Sequence, residues 1–359
     1  MSYKPKVLVA LSGGVDSSVA AALLKRDGYD VEGVFMATWQ APWLPCTWPR
    51  ERLDAMRVAA RLRIPFHTVD VATEYERDVV QYLIREYERG RTPNPDVMCN
   101  MHIKFGVLLR WARARGFDAI ATGHYAQRDA VTTQGATSYE LRTAVDETKD
   151  QTYFLWTLTQ EQLSRALFPI GHLRKTDVRE YAKRFGLHTA AKHDSQGVCF
   201  LGDVDMSAFV SEFLPKRTGH VLDERGQVVG SHDGAWLYTI GQRHGLRLLQ
   251  TTPLMRKVYV VAKDIEHNTV TVASHDTVSD RSVCDHVTLC DVHWIGSRLP
   301  FGSSCAARYR HRQSFEAVTV GGDADSVSVQ FAVPQHFIAP GQSLVLYDDG
   351  VCLGGGIIA

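Results

Sequence analysis

The chain has 359 residues, which is long for a single domain and predicts two or three. Hydrophobic residues make up 45% of it and charged residues 22%, a composition typical of a soluble protein with substantial cores. Lys+Arg and Asp+Glu both number 40, so the formal net charge is zero. This balance argues against a dedicated non-specific nucleic-acid binder, so any RNA contact must come from local basic patches.

Seven cysteines are present, and no two have the spacing C-x-x-C. The odd number and the spacing argue against a secreted disulfide framework and against a structural zinc site, so we predict no protein-bound metal centre. The apolar run at residues 7–11 is too short for a signal peptide, and no stretch has the length of a membrane span. We therefore expect a cytoplasmic location with reduced thiols and no membrane partner.

The first half of the chain alternates strand-like and helix-like segments. Short apolar runs predict strands at residues 6–11, 31–37, 66–71 and 117–122. Helical patterns occupy residues 16–26, 50–62, 78–89, 105–115 and 175–186. This β-α-β order predicts an α/β domain with an open parallel sheet, where ligands bind at the carboxyl ends of the strands. Residues 129–135 are expected to form a surface loop.

The sequence pattern changes after about Gly202, where glycines become frequent and strand-like alternation replaces the helical pattern. Alternation at residues 257–262, 269–273, 326–331 and 343–347 predicts an all-β region made of two small modules. We place their border near Ser279. The predicted domains are therefore residues 1–204, 205–279 and 280–359.

The strongest motif is Ser12-Gly13-Gly14-Val15-Asp16-Ser17-Ser18, between the first predicted strand and the first helix. Glycines allow close approach of a ligand, and a helix N-terminus offers free N–H groups to an anion. Asp16 suits such a site only if it holds the loop or a magnesium ion. The string matches neither the P-loop nor the Rossmann pattern. It resembles the pyrophosphatase loop of enzymes that split ATP into AMP and pyrophosphate; the alternative is a tight turn with a capped helix.

Two cysteines follow polar segments. In residues 92–100, two prolines predict a stiff loop that holds Asn, Asp and Cys99 in place, and His102 and Lys104 would lower the thiol pKa if they point toward it. Cys199 follows the glycine-containing segment 194–198. Buried structural cysteines are the alternative for both. A structural role is expected for the other five: Cys46, Cys284, Cys290, Cys305 and Cys352.

The motifs taken together resemble the bacterial tRNA-specific 2-thiouridylase family of the MnmA type. The resemblance spans nearly the whole chain, and the other pyrophosphatase-loop enzymes share only the first motif. It implies an adenine-nucleotide alpha-hydrolase-like α/β domain, a small central β module and a C-terminal β-barrel that contacts tRNA. The motifs that carry it are residues 12–18, 93–100, 121–125, 149–154, 194–200, 239–245 and 353–358.

The resemblance also implies a reaction. ATP, with Mg²⁺ on its triphosphate, adenylates the C2 oxygen of the wobble uridine of tRNA, and a cysteine persulfide then displaces AMP. Cys199 would carry the persulfide and Cys99 would be its catalytic partner, leaving a Cys99–Cys199 disulfide. Asp96 would act as general base or orient the uracil, and a cysteine desulfurase or a sulfur-relay protein would supply the sulfur. The chemistry is consistent, because thiolates are strong nucleophiles and exchange with disulfides.

Further residue roles are implied by the same resemblance. Each of three of these sites also has a purely structural interpretation. His124 could be a buried histidine, Met36 a core methionine and the triplet at 149–151 a solvated turn. Arg308, Arg310 and Arg312 would share one face of an alternating strand, which is either an RNA-binding face or an ordinary polar one. The implied ATP contacts are Ala10, Leu11, Ser12, Gly13, Gly14, Val15, Asp16, Ser17, Met36 and Gly123. The implied contacts to the target base are Asn94, Pro95 and Asp96. The implied tRNA contacts are His124, Lys149, Asp150, Gln151, Arg308, Tyr309 and Gln342.

One departure and two rival functions remain. The family usually has an acidic stretch after the position of Met36, whereas residues 37–49 are apolar and contain Trp39, Trp43 and Trp48. The first rival is another pyrophosphatase-loop ligase of the amidotransferase or synthetase type, which would need no paired cysteines. The second is a non-enzymatic RNA-binding or redox protein that retains the loop without using it.

Overall fold

A computed structural model describes residues 4–44, 46, 48–133, 135–193, 206–249, 258–274, 283–323 and 326–359. Within these residues the strands form three sheets. The first sheet is surrounded by helices, and the other two belong to β-rich units that follow it, which confirms the predicted fold class. In the part of the chain so described, no helix is both long and apolar enough to cross a membrane.

The first sheet contains β1 (Lys6–Ala10), β2 (Asp30–Ala37), β3 (Phe66–Asp70), β4 (Ala119–Ala121) and β7 (Ala166–Leu167). All are parallel, in the order β3-β2-β1-β4-β7. Val7 and Val9 belong to one hydrophobic cluster and Leu8 to another, so the sheet is buried on both faces. This double burial explains the continuous apolar runs by which the strands were predicted.

Helices cover both faces of this sheet. They are α1 (Val15–Arg26), α2 (Trp48–Leu62), α3 (Ala72–Tyr75), α4 (Gln81–Glu88), α5 (Pro95–Met98), α6 (Leu108–Arg113), α7 (Gln160–Ser164) and α8 (Lys175–Arg184). Wider π-helical turns at Glu76–Val80 and Cys99–Val107 join α3 to α4 and α5 to α6. Single 3₁₀ turns lie at Thr152–Phe154 and His188–Ala191.

The segment around Cys99 is helical, so the prediction of a stiff loop at residues 92–100 is wrong beyond Asn94. The helix begins at Pro95 and runs through Cys99–Val107 to Arg113. Proline is tolerated at the first helical position, because its missing N–H would have no intrahelical acceptor there. The two prolines therefore mark the start of a helix, and Cys99 lies about one turn inside it.

The central unit has a mixed sheet of five strands. They are β8 (Gly219–Leu222), β9 (Val228–His232), β10 (Arg247–Leu248), β11 (Val258–Asp264) and β12 (Thr269–Ser274), in the order β10-β9-β8-β12-β11. A short helix, α9 (Met206–Val210), precedes it, and a 3₁₀ turn lies at Ala235–Leu237. A separate cluster that includes Val221, Val260 and Val270 forms its core.

The C-terminal unit is a closed six-stranded barrel. Its strands are β13 (Val283–Trp294), β14 (Ser304–Arg308), β15 (Glu316–Gly322), β16 (Val327–His336), β17 (Ser343–Asp348) and β18 (Val351–Ile358). The order is β13-β16-β15-β14-β17-β18, and pairing of β13 with β18 closes the barrel. Strand β14 ends at Arg308, and Arg312 has a left-handed backbone (φ 66°). The predicted alternating face of Arg308, Arg310 and Arg312 is therefore wrong.

A β-hairpin from the N-terminal half extends this barrel sheet. Strands β5 (Gln127–Thr133) and β6 (Ala136–Arg142) pair with each other, and β6 pairs with β18 through Leu141 and Arg142. The prediction of a surface loop at residues 129–135 is therefore wrong, although Gly135 lies in the turn with φ 83°. Asp129, Ala130, Thr132 and Thr133 are exposed on both faces of β5, because this end of the hairpin projects into solvent.

Candidate functional site

The nucleotide loop forms a compact turn between β1 and α1. The Ser17 Oγ accepts the N–H of Ser12 (3.2 Å), and the Ser18 hydroxyl donates to the Gly14 carbonyl (2.6 Å). Gly14 in turn donates its N–H to the Ser12 hydroxyl (3.3 Å). These bonds fix the serine hydroxyls beside the N-terminus of α1, whose first N–H groups point toward any bound anion. The arrangement has the donors that a phosphate group requires.

The carboxylate of Asp16 holds the loop in place. Lys175 at the start of α8 donates to both carboxylate oxygens (2.7 and 2.8 Å), and the Tyr125 hydroxyl donates to one of them (2.9 Å). Tyr125 is fixed in turn, because its N–H donates to the Gln151 side chain (3.0 Å). The Lys175 charge compensates the negative charge of Asp16, so the acid does not repel a phosphate placed above the glycines.

Two glycines allow a close approach that a side chain would block. A Cβ on Gly13 (φ 75°) would lie 2.5 Å from the carbonyl oxygen of Glu51. A Cβ on Gly123, just after β4, would lie 2.5 Å from the backbone nitrogen of Ser17. The ends of β1 and β4 are therefore pressed together, as expected for adjacent parallel strands. The 122–125 segment therefore lies directly beside the loop, at the carboxyl end of β4.

The remaining implied nucleotide residues lie along the same edge of the sheet. Ala10 ends β1 and Leu11 follows it as part of the hydrophobic core. Met36 is the second-last residue of β2 and is partly buried against the core cluster on the other face. These positions are consistent with a pocket wall for adenine and equally with core packing, so the role of Met36 stays a prediction.

The helix that carries Cys99 reaches the same edge of the sheet. It precedes β4 and runs opposite to it, so its N-terminal part lies at the carboxyl ends of the strands. Cys99 is 3% exposed, and the neighbouring Asn100 donates its side-chain amide to the Phe154 carbonyl (3.0 Å). Burial raises the pKa of Asp96, and the positive charge of Lys104 offsets part of that rise.

Lys104 connects this helix to the end of β4. Its ammonium lies 3.4 Å from Nε2 of His124, whose Nδ1 is 2.8 Å from the Thr122 hydroxyl. Burial and the Lys104 charge hold the pKa of His124 well below its usual value, so the imidazole is neutral at physiological pH. Lys104 can only donate, so Nε2 is the acceptor and Nδ1 carries the proton. His102, by contrast, lies near Asp78 and two arginines.

Cys199 and residues 194–198 lie outside the described residues, as do residues 200–205. The described chain on either side has fixed contacts. Lys192 donates to the Gly13 carbonyl (3.1 Å) and to Asp54 (2.8 Å). On the other side, Phe209 of α9 contacts Trp39 and Trp43 of the segment that follows β2. The tryptophan-rich segment thus packs on the helix that follows Cys199.

Two of the implied tRNA contacts form a buried ion pair. The Arg308 guanidinium donates to the Asp150 carboxylate at 2.9 Å, and their side chains are only 9% and 1% exposed. Asp150 also accepts the N–H of Ala144 and the hydroxyl of Thr152, while burial raises its pKa. This pair joins the α/β domain to the barrel, so neither charge faces solvent in this structure.

The other implied tRNA contacts differ in burial: some side chains are buried and others are partly exposed. Tyr309 is buried and donates its hydroxyl to Gln335 (3.0 Å). Lys149, Gln151 and Gln342 are partly exposed, and Gln342 donates its amide to the Thr92 carbonyl (2.9 Å). His124 is buried just after the end of β4 and is not exposed at the surface. Their roles toward RNA remain predictions.

Three of the cysteines expected to be structural have unreactive environments. Burial raises the pKa of Cys284 and of Cys352, and it raises the pKa of Cys305 to about 11. A higher pKa reduces the fraction of thiolate, which is the reactive form. Cys46 is exposed and lies within the tryptophan-rich segment, residues 37–49.

Three family models match the chain in succession. They are described as a tRNA methyl transferase HUP domain at residues 5–203, a tRNA methyl transferase PRC-barrel domain at 207–274 and an aminomethyltransferase beta-barrel domain at 284–358. A tRNA-specific 2-thiouridylase MnmA from Francisella philomiragia is 44% identical over 360 residues, 98% of this chain and 99% of the relative. Its namesake from Streptococcus pyogenes is 45% identical over 365 residues, 99% of this chain and 95% of the relative. The chain belongs to the tRNA-specific 2-thiouridylase family.

The family predicted from the sequence motifs is thereby confirmed. Solved structures are more distant. The U34-tRNA thiolase NcsA from Methanococcus maripaludis is 16% identical with a TM-score of 0.37, over 59% of this chain and 66% of that chain. An NMN synthetase from Francisella tularensis is 16% identical with a TM-score of 0.34, over 59% and 76%. Likeness at this level carries no argument about function.

Several residues of the site could not be found by sequence reasoning. Lys175 and Lys192 contact the nucleotide loop from more than 150 residues away, and no spacing links them to it. Tyr125 belongs to the motif at residues 121–125, but the motif itself does not predict the bond of Tyr125 to Asp16. The clue for Lys175 was indirect: a carboxylate in an anion cradle requires a cation nearby.

Gly123→Ala should weaken ATP binding. Its Cβ would collide with the backbone of Ser17 and displace the first N–H groups of α1 from a bound phosphate. We expect a loss of about 5- to 150-fold in affinity, which corresponds to a coupling of about 1–3 kcal/mol. Gly296→Ala is the matched control, because nothing lies within 4 Å of its Cβ position and, as at Gly123, the backbone is not left-handed. Isothermal titration with ATP measures both, and equal affinities would contradict the close approach.

Breaking the Asp150–Arg308 pair should destabilise the junction of the α/β domain with the barrel. Asp150→Asn or Arg308→Met leaves one buried charge uncompensated, at a cost of about 3–5 kcal/mol. The double variant should cost less than the two single changes together. Urea unfolding measures the effect, with the exposed Arg312→Ala as control. Additive single costs would show that the two charges do not interact.

Proposed function

We propose that this protein catalyses the ATP-dependent 2-thiolation of the wobble uridine in tRNA. The observation that carries the proposal is a continuous chain of contacts from the nucleotide loop to the cysteine helix. Ser17 packs against Gly123, His124 contacts Lys104, and the Lys104 charge acts on Asp96. The relatives are named tRNA-specific 2-thiouridylases, which supports the 2-thiolation of a tRNA uridine as the reaction.

The first step of the proposed reaction is adenylation of the uridine. The C2 oxygen attacks the α-phosphate of ATP and pyrophosphate leaves, which turns a poor leaving group into AMP. The loop at residues 12–17 binds the phosphates, and Mg²⁺ accompanies the triphosphate. Asn94 and Asp96 orient the uracil edge or accept a proton. The base must leave its stack to reach both ATP and sulfur.

The second step is sulfur transfer. A persulfide on Cys199 attacks C2 through its terminal sulfur, and AMP leaves. The Cys99 thiolate then attacks the Cys199 sulfur, which forms a Cys99–Cys199 disulfide and leaves sulfur on C2. In the sequence, Cys199 comes seven positions after Lys192, whose ammonium donates to the Gly13 carbonyl. A thiol reductant restores the cysteines, and a persulfide donor reloads Cys199.

The tRNA itself is proposed to lie across the α/β domain and the barrel. Partly exposed Lys149, Gln151 and Gln342 are candidate contacts, and the exposed Arg312 supplies a cation close to the barrel surface. Because the net charge is zero, these local groups have to supply the phosphate contacts. A cytoplasmic location follows from this substrate and belongs to the same proposal.

Thiolation should be directly measurable. We expect unmodified tRNA incubated with ATP, Mg²⁺ and a persulfide source to gain one sulfur in place of oxygen on uridine, as read by mass spectrometry. Cys99→Ala and Cys199→Ala should abolish this product, whereas Cys305→Ala, which changes a high-pKa barrel thiol, should not.

The products also separate the rival functions. A ligase of the amidotransferase type would keep full turnover without Cys99 or Cys199, and an RNA-binding protein without catalysis would show no tRNA-stimulated exchange between ATP and pyrophosphate. A gain of a methyl group would indicate the chemistry for which two of the family models are described. Any of these outcomes would overturn the proposal.

The pH dependence of kcat should report on Asp96. Burial raises its pKa, so a reaction that needs the carboxylate should lose activity, as pH falls, at a higher pH than an ordinary aspartate would cause. Lys104→Met removes the charge that lowers this pKa, so the acid limb should move to still higher pH. Lys104→Arg keeps the charge and should leave it in place. His124 also loses a positive neighbour in Lys104→Met, so His124→Gln is included to exclude its titration.

A further inference from the structure

The barrel contacts the chain immediately before the helix that carries Cys99. The Thr92 N–H donates to the Pro340 carbonyl (2.8 Å), and the Gln342 side-chain amide donates to the Thr92 carbonyl (2.9 Å). The Thr92 hydroxyl also bonds Thr239 of the central unit (3.1 Å). Both backbone groups of this one residue are therefore held by the loop that connects β16 to β17.

Gly341 lies at the centre of this contact. Its φ is +90°, and an added Cβ would come within 2.8 Å of the Thr92 nitrogen and of the Arg91 Cβ. The loop is also fixed to the barrel, because Gly341 donates its N–H to Ile358 and Ile358 donates to Gln342. The barrel thus presents a rigid surface against Thr92, at a distance that only glycine permits.

A second set of contacts links the start of β17 to Tyr153 and Trp156 of the α/β domain. Ser343, the first residue of β17, accepts the Tyr153 hydroxyl at its carbonyl (2.9 Å) and the Trp156 indole N–H at its hydroxyl (3.1 Å). The Asn94 side chain hydrogen-bonds to Tyr153. Barrel residues 340–343 therefore contact Thr92 directly and Asn94 through Tyr153.

The chain from Thr92 to Cys99 is stiff, so a shift of Thr92 also shifts the residues that follow it. Pro93 and Pro95 fix their φ angles, Asn94 occupies the helix N-cap, and Asp96 and Cys99 follow within the first turn and a half. A displacement of Thr92 moves this stiff segment as a unit. We propose that residues 340–343 of the barrel form a positioning element that sets where Asn94, Asp96 and Cys99 lie relative to the nucleotide loop.

This inference rests on the proposed function and gives the barrel a second role in it. The amide of Gln342 bonds within the chain, so it holds Thr92 in addition to any contact that the side chain makes with RNA. The coupling makes correct seating of the barrel a condition for catalysis, since a misplacement of about 1 Å can lower a rate by about 100-fold.

A matched pair of glycine variants tests the proposal. Gly341→Ala pushes on Thr92, whereas Gly302→Ala imposes a similar left-handed strain (φ +87°) at a barrel position with nothing within 4 Å. We expect Gly341→Ala to lower the kcat of tRNA thiolation by about tenfold or more, with the Kd for tRNA unchanged. Gly302→Ala should match the wild type. Gln342→Ala, which only removes a donor, should act in the same direction more weakly and covers the case in which Gly341→Ala does not fold.

A second readout does not depend on the reaction. The rate of alkylation of Cys99 by iodoacetamide, measured by peptide mass mapping of the full chain, should rise in Gly341→Ala and not in Gly302→Ala. Cys352, buried in β18 at 1% exposure, is the internal control, because global unfolding would label it too. Absence of thiolation in the wild type would refute the proposed function and leave this labelling test intact. Equal kcat and labelling in both variants, or a loss confined to tRNA affinity, would overturn the positioning role.

Discussion

The contact between the end of β4 and the nucleotide loop is the constraint on which the rest of the site depends. Gly123 lies against the Ser17 backbone, and Lys175 and Tyr125 hold the carboxylate of Asp16. Together they fix the loop before any ligand arrives, so its N–H groups need little rearrangement to bind phosphate. Because the cysteine helix leads directly into β4, the same packing places Cys99 and Asp96 at that edge of the sheet.

Much of this architecture follows from local patterns in the sequence. The buried parallel strands are continuous apolar runs, and the nucleotide loop is a contiguous motif, so both were predictable. Two of the wrong predictions share a cause. The prolines at 93 and 95 and the polar residues at 129–135 indicate loops, although a helix can begin at proline and a hairpin can project into solvent. The contacts of Lys175 and Lys192 join distant parts of the chain, and no local pattern encodes them.

The barrel and the α/β domain are joined by polar contacts as well as by sheet pairing. Asp150 and Arg308 form an ion pair that is excluded from water, and β6 adds to the barrel at β18. Buried ion pairs contribute little net stability compared with apolar packing, but a mismatched one is costly. Such a pair therefore favours one orientation of the two domains over others. This specificity is what a barrel that positions Thr92 would need.

Burial of the catalytic groups is consistent with the proposed chemistry. An adenylated uridine reacts with water as well as with sulfur, so water near C2 would divert the intermediate to hydrolysis. Cys99 and His124 are almost completely buried, and burial also raises the pKa of Asp96. The neutral His124 adds no charge that would need hydration. In the proposed reaction, this burial would limit the access of water to C2 while the adenylated base waits for sulfur.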